Sequence, residues 1–255
     1  MKRLVLPLVA VSALSSPVFA EVLFSTDFEG LTLEAFSSPT ETGKGDGTDW
    51  TSSLPAGWSM SYSGPIGNPV EFQGWRVMDV DSWIATEGNQ DRATWTRGGV
   101  GSRGSVLIAD GDAYDDGTNI DTGLFNTFAL TPAVDLAGIV PGSVRIALDS
   151  FWRNEVTQKG RVEVSYDGGN TFETLKFYDS AALADGVGID ERLDLAVNNP
   201  ASGSMVFRLS YTEASNDWWW AVDNVAVTGS VVPEPSTIAL GALGVAALAW
   251  ARRRR

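Results

Sequence analysis

Between residues 21 and 229, apolar side chains occur in short runs or alternate with polar ones, and no stretch sustains a helical period. Clusters of Gly, Pro, Asn and Asp separate these runs, which is typical of strands joined by turns. Alternation is clearest in 144–148 and 162–166, and we expect one helical turn near 181–184. The strands that the pattern predicts span 22–28, 70–77, 105–109, 124–130, 143–152, 161–166, 172–178, 204–212 and 218–228.

This pattern predicts an all-β domain at 21–229, folded as a two-sheet antiparallel sandwich of the jelly-roll type. Ten Trp and eleven Phe residues supply large apolar surfaces for its core. Cys is absent, so no disulfide contributes to its stability. We expect long loops at 37–54 and 110–123, where small and polar residues dominate.

The first twenty residues have the features of a signal peptide. Lys2 and Arg3 precede an apolar stretch that is too short to span a bilayer, and Ala20 ends a small-x-small sequence suited to cleavage. We therefore predict a signal peptide at 1–20 and export of the remaining chain, with an uncleaved anchor as the alternative.

The C-terminal segment, 230–255, contains a Pro-Glu-Pro triplet, an apolar helix-forming run at 236–251 and an Arg cluster, in that order. This arrangement resembles the PEP-CTERM sorting signal. Together with the positive-inside rule, it implies a short C-terminal transmembrane helix that tethers the protein to the inner membrane until an exosortase-type enzyme removes it. A tail anchor that is never cut is the alternative. The sorting-signal residues are Pro233, Glu234, Pro235, Arg252, Arg253, Arg254 and Arg255.

Composition and charge exclude several functions. Without His and Cys the chain cannot form the usual zinc or copper sites, or a Ser-His-Asp or Cys-His catalytic unit. Six of the 18 basic and one of the 32 acidic residues lie in the two end segments, which leaves a net charge of −19 on the middle. Because such a surface repels phosphate backbones, we expect no nucleic-acid partner. It suits cations or a polycationic partner, and solubility alone is the alternative explanation.

Three short sequences, at 24–30, 130–136 and 218–225, resemble parts of the concanavalin-like and MAM-like jelly rolls of extracellular proteins, although the MAM cysteines are missing. In such folds the first and last strands are neighbours. The resemblance therefore implies a structural Ca²⁺ held by Glu29 and Asp223. The alternative is that Asp223 binds backbone groups at a strand bulge.

A second candidate calcium site is the acidic sequence DGDAYDDG at 110–117. Its Asp110 and Asp112 offer the oxygen ligands that Ca²⁺ prefers, although the spacing is not that of an EF-hand. The alternative is a solvated acidic loop.

Residues 165–172 resemble an Asp-box, with Phe172 in place of Trp. The resemblance implies a hairpin turn in which Asp167 accepts backbone N–H groups, glycine supplies positive φ, and the aromatic ring plugs the core. The motif often occurs in glycan-handling proteins and has no catalytic role.

Trp218, Trp219 and Trp220 are consecutive, so at least one must face away from the sheet face that its neighbours bury. We treat the three as candidates for a sugar-stacking platform, with core filling as the alternative.

Together these features predict an exported cell-surface or extracellular-matrix protein that is non-catalytic and binds a polysaccharide, such as an exopolysaccharide. One alternative is a secreted hydrolase that uses a carboxylate pair, although nothing in the sequence selects one pair. Another is a purely structural matrix component without a ligand.

Overall fold

The computed structural model describes residues 20–38, 41–64, 69–86, 91–95, 104–115, 124–232 and 235–254. All of the predicted signal peptide except Ala20 lies outside these ranges, as do Pro233, Glu234 and Arg255.

Strands dominate the described part of the chain. The strands are β1 (Ala20–Thr26), β2 (Trp50–Thr51), β3 (Ser59–Ser63), β4 (Arg76–Asp79), β5 (Ser105–Asp110), β6 (Phe125–Leu130), β7 (Val134–Asp135), β8 (Val144–Arg153), β9 (Lys159–Ser165), β10 (Glu173–Asp179), β11 (Gly188–Val197), β12 (Ser204–Ala214) and β13 (Trp219–Ser230). The α-helices are α1 (Val80–Ile84), α2 (Gly111–Asp115) and α3 (Pro235–Arg253), and short 3₁₀ helices occur at Val70–Phe72, Arg92–Thr94 and Ser180–Ala182.

Two antiparallel sheets form a sandwich, which confirms the predicted architecture. The seven-stranded sheet has the order β11-β8-β13-β5-β4-β2, and β1 also pairs with β13. The six-stranded sheet has the order β10-β9-β12-β6-β3, and β7 also pairs with β12. Strand β13 is therefore central, because β5 and β1 pair with successive halves of one of its edges while β8 covers the other.

Both ends of the described domain meet at one end of the sandwich, which we call the tail pole. Ala20 pairs with Ser230, and the bridge between Ile139 and Val231 lies directly beyond them. Strand β12 begins at the same pole, where Ser204 pairs with β7. The sorting tail therefore leaves the domain next to its first strand.

Aromatic side chains fill the space between the sheets. Trp220 packs edge-on against Trp75 and Trp152, with ring centroids 5.3 and 6.0 Å apart. Trp219 points to the opposite face of β13, away from the second sheet, and packs edge-on there against Trp83 at 4.8 Å and Phe151 at 4.5 Å. Such contacts stabilise a core beyond the burial of area alone, so the Trp-rich sequence serves the fold.

Several parts of the strand prediction need correction, and the short strands β2, β3 and β7 were not predicted. The segment 70–77 was expected to be one strand, but it forms a 3₁₀ helix at Val70–Phe72 and contributes only its end to β4. The ten-residue edge strand β11 was missed, because its acidic and basic residues hide the alternation. Charged residues are a common protection of edge strands.

The C-terminal apolar run is helical, as expected. Helix α3 has Arg252 and Arg253 in its last turn, where their charges complement the helix dipole. Among the described residues, however, no helix has both the length and the apolar character needed to cross a membrane. The predicted transmembrane helix is thus not found there.

Candidate functional site

The outer face of the six-stranded sheet carries a groove of about 340 Å³. It is formed by the beginning of β3, the end of β6, the beginning of β12 and the turn between β9 and β10. All of these segments lie towards the tail pole, because β12 begins there and its neighbours run antiparallel to it. The residues that line the groove are Ser59, Met60, Ser61, Phe128, Leu130, Gly169, Phe172 and Arg208.

Strand register places the relevant side chains on one face. Leu130 lies opposite Ser59 on β3 and Arg208 on β12, and Arg208 lies opposite Glu163 on β9. Because every second side chain of a strand points to the same face, the row two residues away shares this surface. That next row consists of Ser61, Phe128, Ser210, Arg161 and Phe177.

Arg208 is the central polar group of the groove. Its guanidinium carbon lies 3.6 Å from the ring centroid of Phe172 and 5.0 Å from that of Phe128. Its Nε donates to Oε2 of Glu163 at 2.7 Å, and the Ser210 hydroxyl donates to the same oxygen. The Arg208 side chain is 27% exposed, so this stack of rings and guanidinium borders solvent.

The turn after β9 positions Phe172. Asp167 accepts hydrogen bonds from the backbone N–H groups of Asn170 and Thr171 at 3.1 and 2.9 Å, and from the Thr171 hydroxyl at 2.6 Å. These bonds, the hydroxyl's most of all, hold the pKa of the Asp167 carboxyl well below its usual range. Gly168 has a φ of 73°, which a side chain would disfavour.

The Asp-box turn therefore forms as the resemblance implies, with one correction. Phe172 does not plug the core. It lies on the outer face, where its ring lines the groove beneath Arg208. The second sheet covers only the inner face of this sheet, so a ring that stacks on Arg208 at the outer face does not reach the core.

The three consecutive Trp residues do not form a shared platform. Trp219 and Trp220 are both 0% exposed and belong to the core, so a ligand cannot reach them. Trp218 is half-buried, and the Arg153 guanidinium carbon lies 4.3 Å from the centroid of its ring. Because β13 begins at Trp219 and ends at the tail pole, Trp218 lies at the pole opposite the groove.

Asp110 is a structural acid rather than a solvated ligand. Both it and Arg92 have fully buried side chains, and their ion pair measures 3.0 Å. The indole of Trp83 donates to Asp110 at 2.9 Å, and the backbone N–H of Ala113 donates at 3.0 Å. Asp112 lies in the short helix α2 that follows. The Ca²⁺ role suggested for Asp110 conflicts with this pairing.

The first and last strands pair, as the resemblance implied, and the charge of Glu29 acts on Asp223 of the last strand. Burial raises the pKa of Asp223 to about 7, and the charges of Asp149 and Glu29 act in the same direction. Protein groups already occupy these carboxylates. Glu29 accepts a hydrogen bond from the backbone N–H of Ser105 at 2.8 Å. Asp223 accepts one from the backbone N–H of Asn224 and one from its side-chain amide. In the described ranges, no three acidic side chains have an arrangement that could hold a metal ion, so calcium stays a prediction.

The comparisons with known proteins bear first on the tail. Residues 231–255 match the PEP-CTERM protein-sorting motif. The motif signals export and sorting to the cell surface, and it implies processing by exosortase-type machinery. Of its predicted residues, Pro235 begins α3, while Arg252, Arg253 and Arg254 are exposed at its end.

No curated protein sequence matches the chain. Among solved structures, the complex of TmCBM61 with β-1,4-galactotriose is 12% identical, covers 68% of this chain and 88% of that chain, and has a TM-score of 0.38. The K3 cleaved adhesin domain of Lys-gingipain from Porphyromonas gingivalis is 14% identical, with coverages of 82% and 99% and a TM-score of 0.42. The Stig cyclase Fisc from Fischerella is 13% identical, with coverages of 84% and 100% and a TM-score of 0.45. At these TM-scores, nothing about the ligand of this chain follows from the likeness.

The central groove residues were not singled out in the sequence. Arg208 and Phe128 lie in predicted strands, but alternation shows only that two faces exist and leaves open which face binds. The Asp-box was the available signal. Phe172 is the aromatic residue of that motif, and Glu163 lies on the strand that precedes it.

Proposed function

We propose that this protein is a non-catalytic polysaccharide-binding protein of the cell surface or extracellular matrix, and that its ligand binds in the groove on the six-stranded sheet. The observation that carries the proposal is the solvent-bordering stack of Phe172, Arg208 and Phe128 above Glu163. The pair of Arg92 and Trp83 is sealed in the core, whereas this stack lines an open groove.

The groove has the two chemical properties that sugar recognition needs. Its aromatic and aliphatic side chains offer flat apolar surface for the C–H face of a pyranose ring. Around them, Ser59, Ser61 and Arg208 offer donors for hydroxyl groups. Sites of this kind combine apolar walls with a few fixed polar groups.

The lining favours binding over hydrolysis. Glycoside hydrolases of the usual kind need two carboxyl groups about 5–10 Å apart across the bond that is cleaved. The described residues that line the groove include one arginine and no carboxylate, since Glu163 lies behind Arg208. Bound polysaccharide should therefore be retained without release of reducing ends.

The position of the groove suits a surface-attached protein. It lies towards the tail pole, so the ligand and the sorting tail occupy the same end of the sandwich. After processing by an exosortase-type enzyme, a protein attached through this end would hold its ligand close to the point of attachment. The exopolysaccharide of the producing cell is the partner that we propose.

The test is affinity electrophoresis of the purified protein in gels that contain neutral and acidic polysaccharides. We expect retardation by at least one polymer. Phe172→Ala should lose about tenfold in affinity for it, because the ring contributes both stacking surface and the support of Arg208. The same incubation should release no reducing sugar.

Trp218→Ala is the matched control, because it removes a half-buried aromatic ring that also stacks on an arginine, at the opposite pole. We expect it to bind like the unaltered protein. Loss of binding in this variant, together with normal binding by Phe172→Ala, would move the site to Trp218 and contradict the proposal. Retardation by none of the polymers would contradict polysaccharide binding itself.

A further inference from the structure

A second arginine–aromatic pair lies beside the groove on the same sheet face. Arg161 on β9 lies opposite Ser210 on β12 and opposite Phe177 on β10. Its guanidinium carbon is 4.5 Å from the centroid of the Phe177 ring, which is 43% exposed. From Phe128 in the groove to Phe177 there are three strand spacings, or about 14 Å. A short oligosaccharide lying across the strands therefore reaches both pairs.

The cations of this face differ in how they are neutralised. Arg208 is paired with Glu163, and Lys159 is paired with Glu213. Arg161 donates to the Thr212 hydroxyl at 3.2 Å, and no carboxylate of the described residues lies within ion-pairing distance of it. Its remaining N–H donors are thus not committed to any acid.

A guanidinium of this kind is suited to a carboxylate. It keeps its charge at all relevant pH values, and its planar arrangement of donors matches the two oxygens of a carboxyl group. The Phe177 ring holds the plane of the guanidinium and offers its own surface to a neighbouring sugar. The domain has a net charge of −19, so a cation that is not paired with an acid, on an aromatic surface, contrasts with the rest of the molecule.

We propose that Arg161 and Phe177 form a subsite for a uronic acid, so that the ligand is an acidic polysaccharide in which neutral and carboxylate-bearing sugars occur together. This inference rests on the proposed function of the groove. The neutral sugar occupies the groove, where Glu163 compensates Arg208, and the carboxylate of the next sugars meets Arg161. Because the domain as a whole is acidic, polymers with a dense negative charge bind less well than those with sparse carboxylates.

The experiment compares three acidic polysaccharides (alginate, pectin and xanthan) with their carboxyl-reduced forms, in which each carboxylate has become an alcohol on an unchanged backbone. We expect the protein to bind at least one acidic form about tenfold more tightly than its reduced form, as one charge-assisted contact would give. Arg161→Gln should abolish this preference and leave the affinity for the reduced form unchanged.

Lys159→Gln is the matched control, because it removes one positive charge from the same strand and face at a residue that is already paired. It should keep the preference for the acidic form. Equal binding of acidic and reduced forms by the unaltered protein, or a preference that survives Arg161→Gln, would overturn the uronic-acid subsite while leaving the groove intact. Absence of binding to all six polymers and to neutral polysaccharides would instead overturn the proposed function.

Discussion

Two sites of this protein are built from the same three groups, an arginine, an acid and an aromatic ring, and differ in what surrounds them. Arg92 lies 5.6 Å from the ring of Trp83 and pairs with Asp110 at 3.0 Å, with both charged side chains fully buried. Arg208 lies 3.6 Å from the ring of Phe172 and pairs with its acid at 2.7 Å, but it borders an open groove.

The comparison shows that chemical type alone does not distinguish a structural site from a binding site. In the buried site, every oxygen of Asp110 has a protein donor, so nothing is left for a ligand. In the open site, the Arg208 side chain borders solvent, and the neighbouring rings line the groove. Burial makes the difference.

The largest effect that we predict concerns the buried site. Asp110→Ala should lower the free energy of unfolding by about 3–5 kcal/mol, because it removes the buried carboxylate that neutralises the Arg92 charge. Denaturant unfolding measures the loss. The double variant Arg92→Leu with Asp110→Leu should be closer to the unaltered protein, since removing both charges removes the cost of burying them. A single variant as stable as the unaltered protein would contradict the structural role of the pair.

The same contrast explains why the sequence predicts the fold but not the roles of the aromatic residues. The sandwich, most strand positions and the Asp-box turn follow from alternation and local turn chemistry. The roles of the aromatic residues do not, because Trp219 and Trp220 became core while Phe172 became surface. Which face a residue occupies depends on strand pairing across long sequence distances, such as Leu130 with Arg208. No local pattern encodes that pairing.

A second prediction sharpens the comparison with a buried acid that lacks an arginine partner. The pKa of Asp223 is raised to about 7, whereas an unfolded Asp titrates near 3.8. The folded state therefore binds the extra proton between these values, and stability falls as pH rises from about 4 to 7 and is flat above. The loss should be on the order of 2–4 kcal/mol, measured by denaturant unfolding across this range.

Asp223→Asn should remove most of this pH dependence, because the side chain can no longer ionise. The same measurement tests calcium. If Glu29 and Asp223 bind Ca²⁺, the ion favours the ionised form, and the melting temperature at pH 8 rises with Ca²⁺ until saturation and falls with a chelator. A melting temperature that neither Ca²⁺ nor the chelator changes would contradict the calcium prediction. Asp223 would then be a buried acid that is hydrogen-bonded to Asn224.

The smallest effect on folding should come from the exposed turn that supports the open site. Asp167→Ala removes four hydrogen bonds from the β9–β10 turn, yet the turn lies at the surface, so the unfolding midpoint should change little. Polysaccharide affinity should nevertheless fall several-fold, since Phe172 is no longer held beneath Arg208. Because the pKa of Asp167 is depressed, these bonds persist as pH falls through the usual Asp range, and binding should remain at pH 4.

Asp135→Ala is the control for this prediction. It also removes an exposed aspartate that accepts a local backbone N–H, and it should leave affinity unchanged. Equal losses in the two variants would show that the turn does not position the groove.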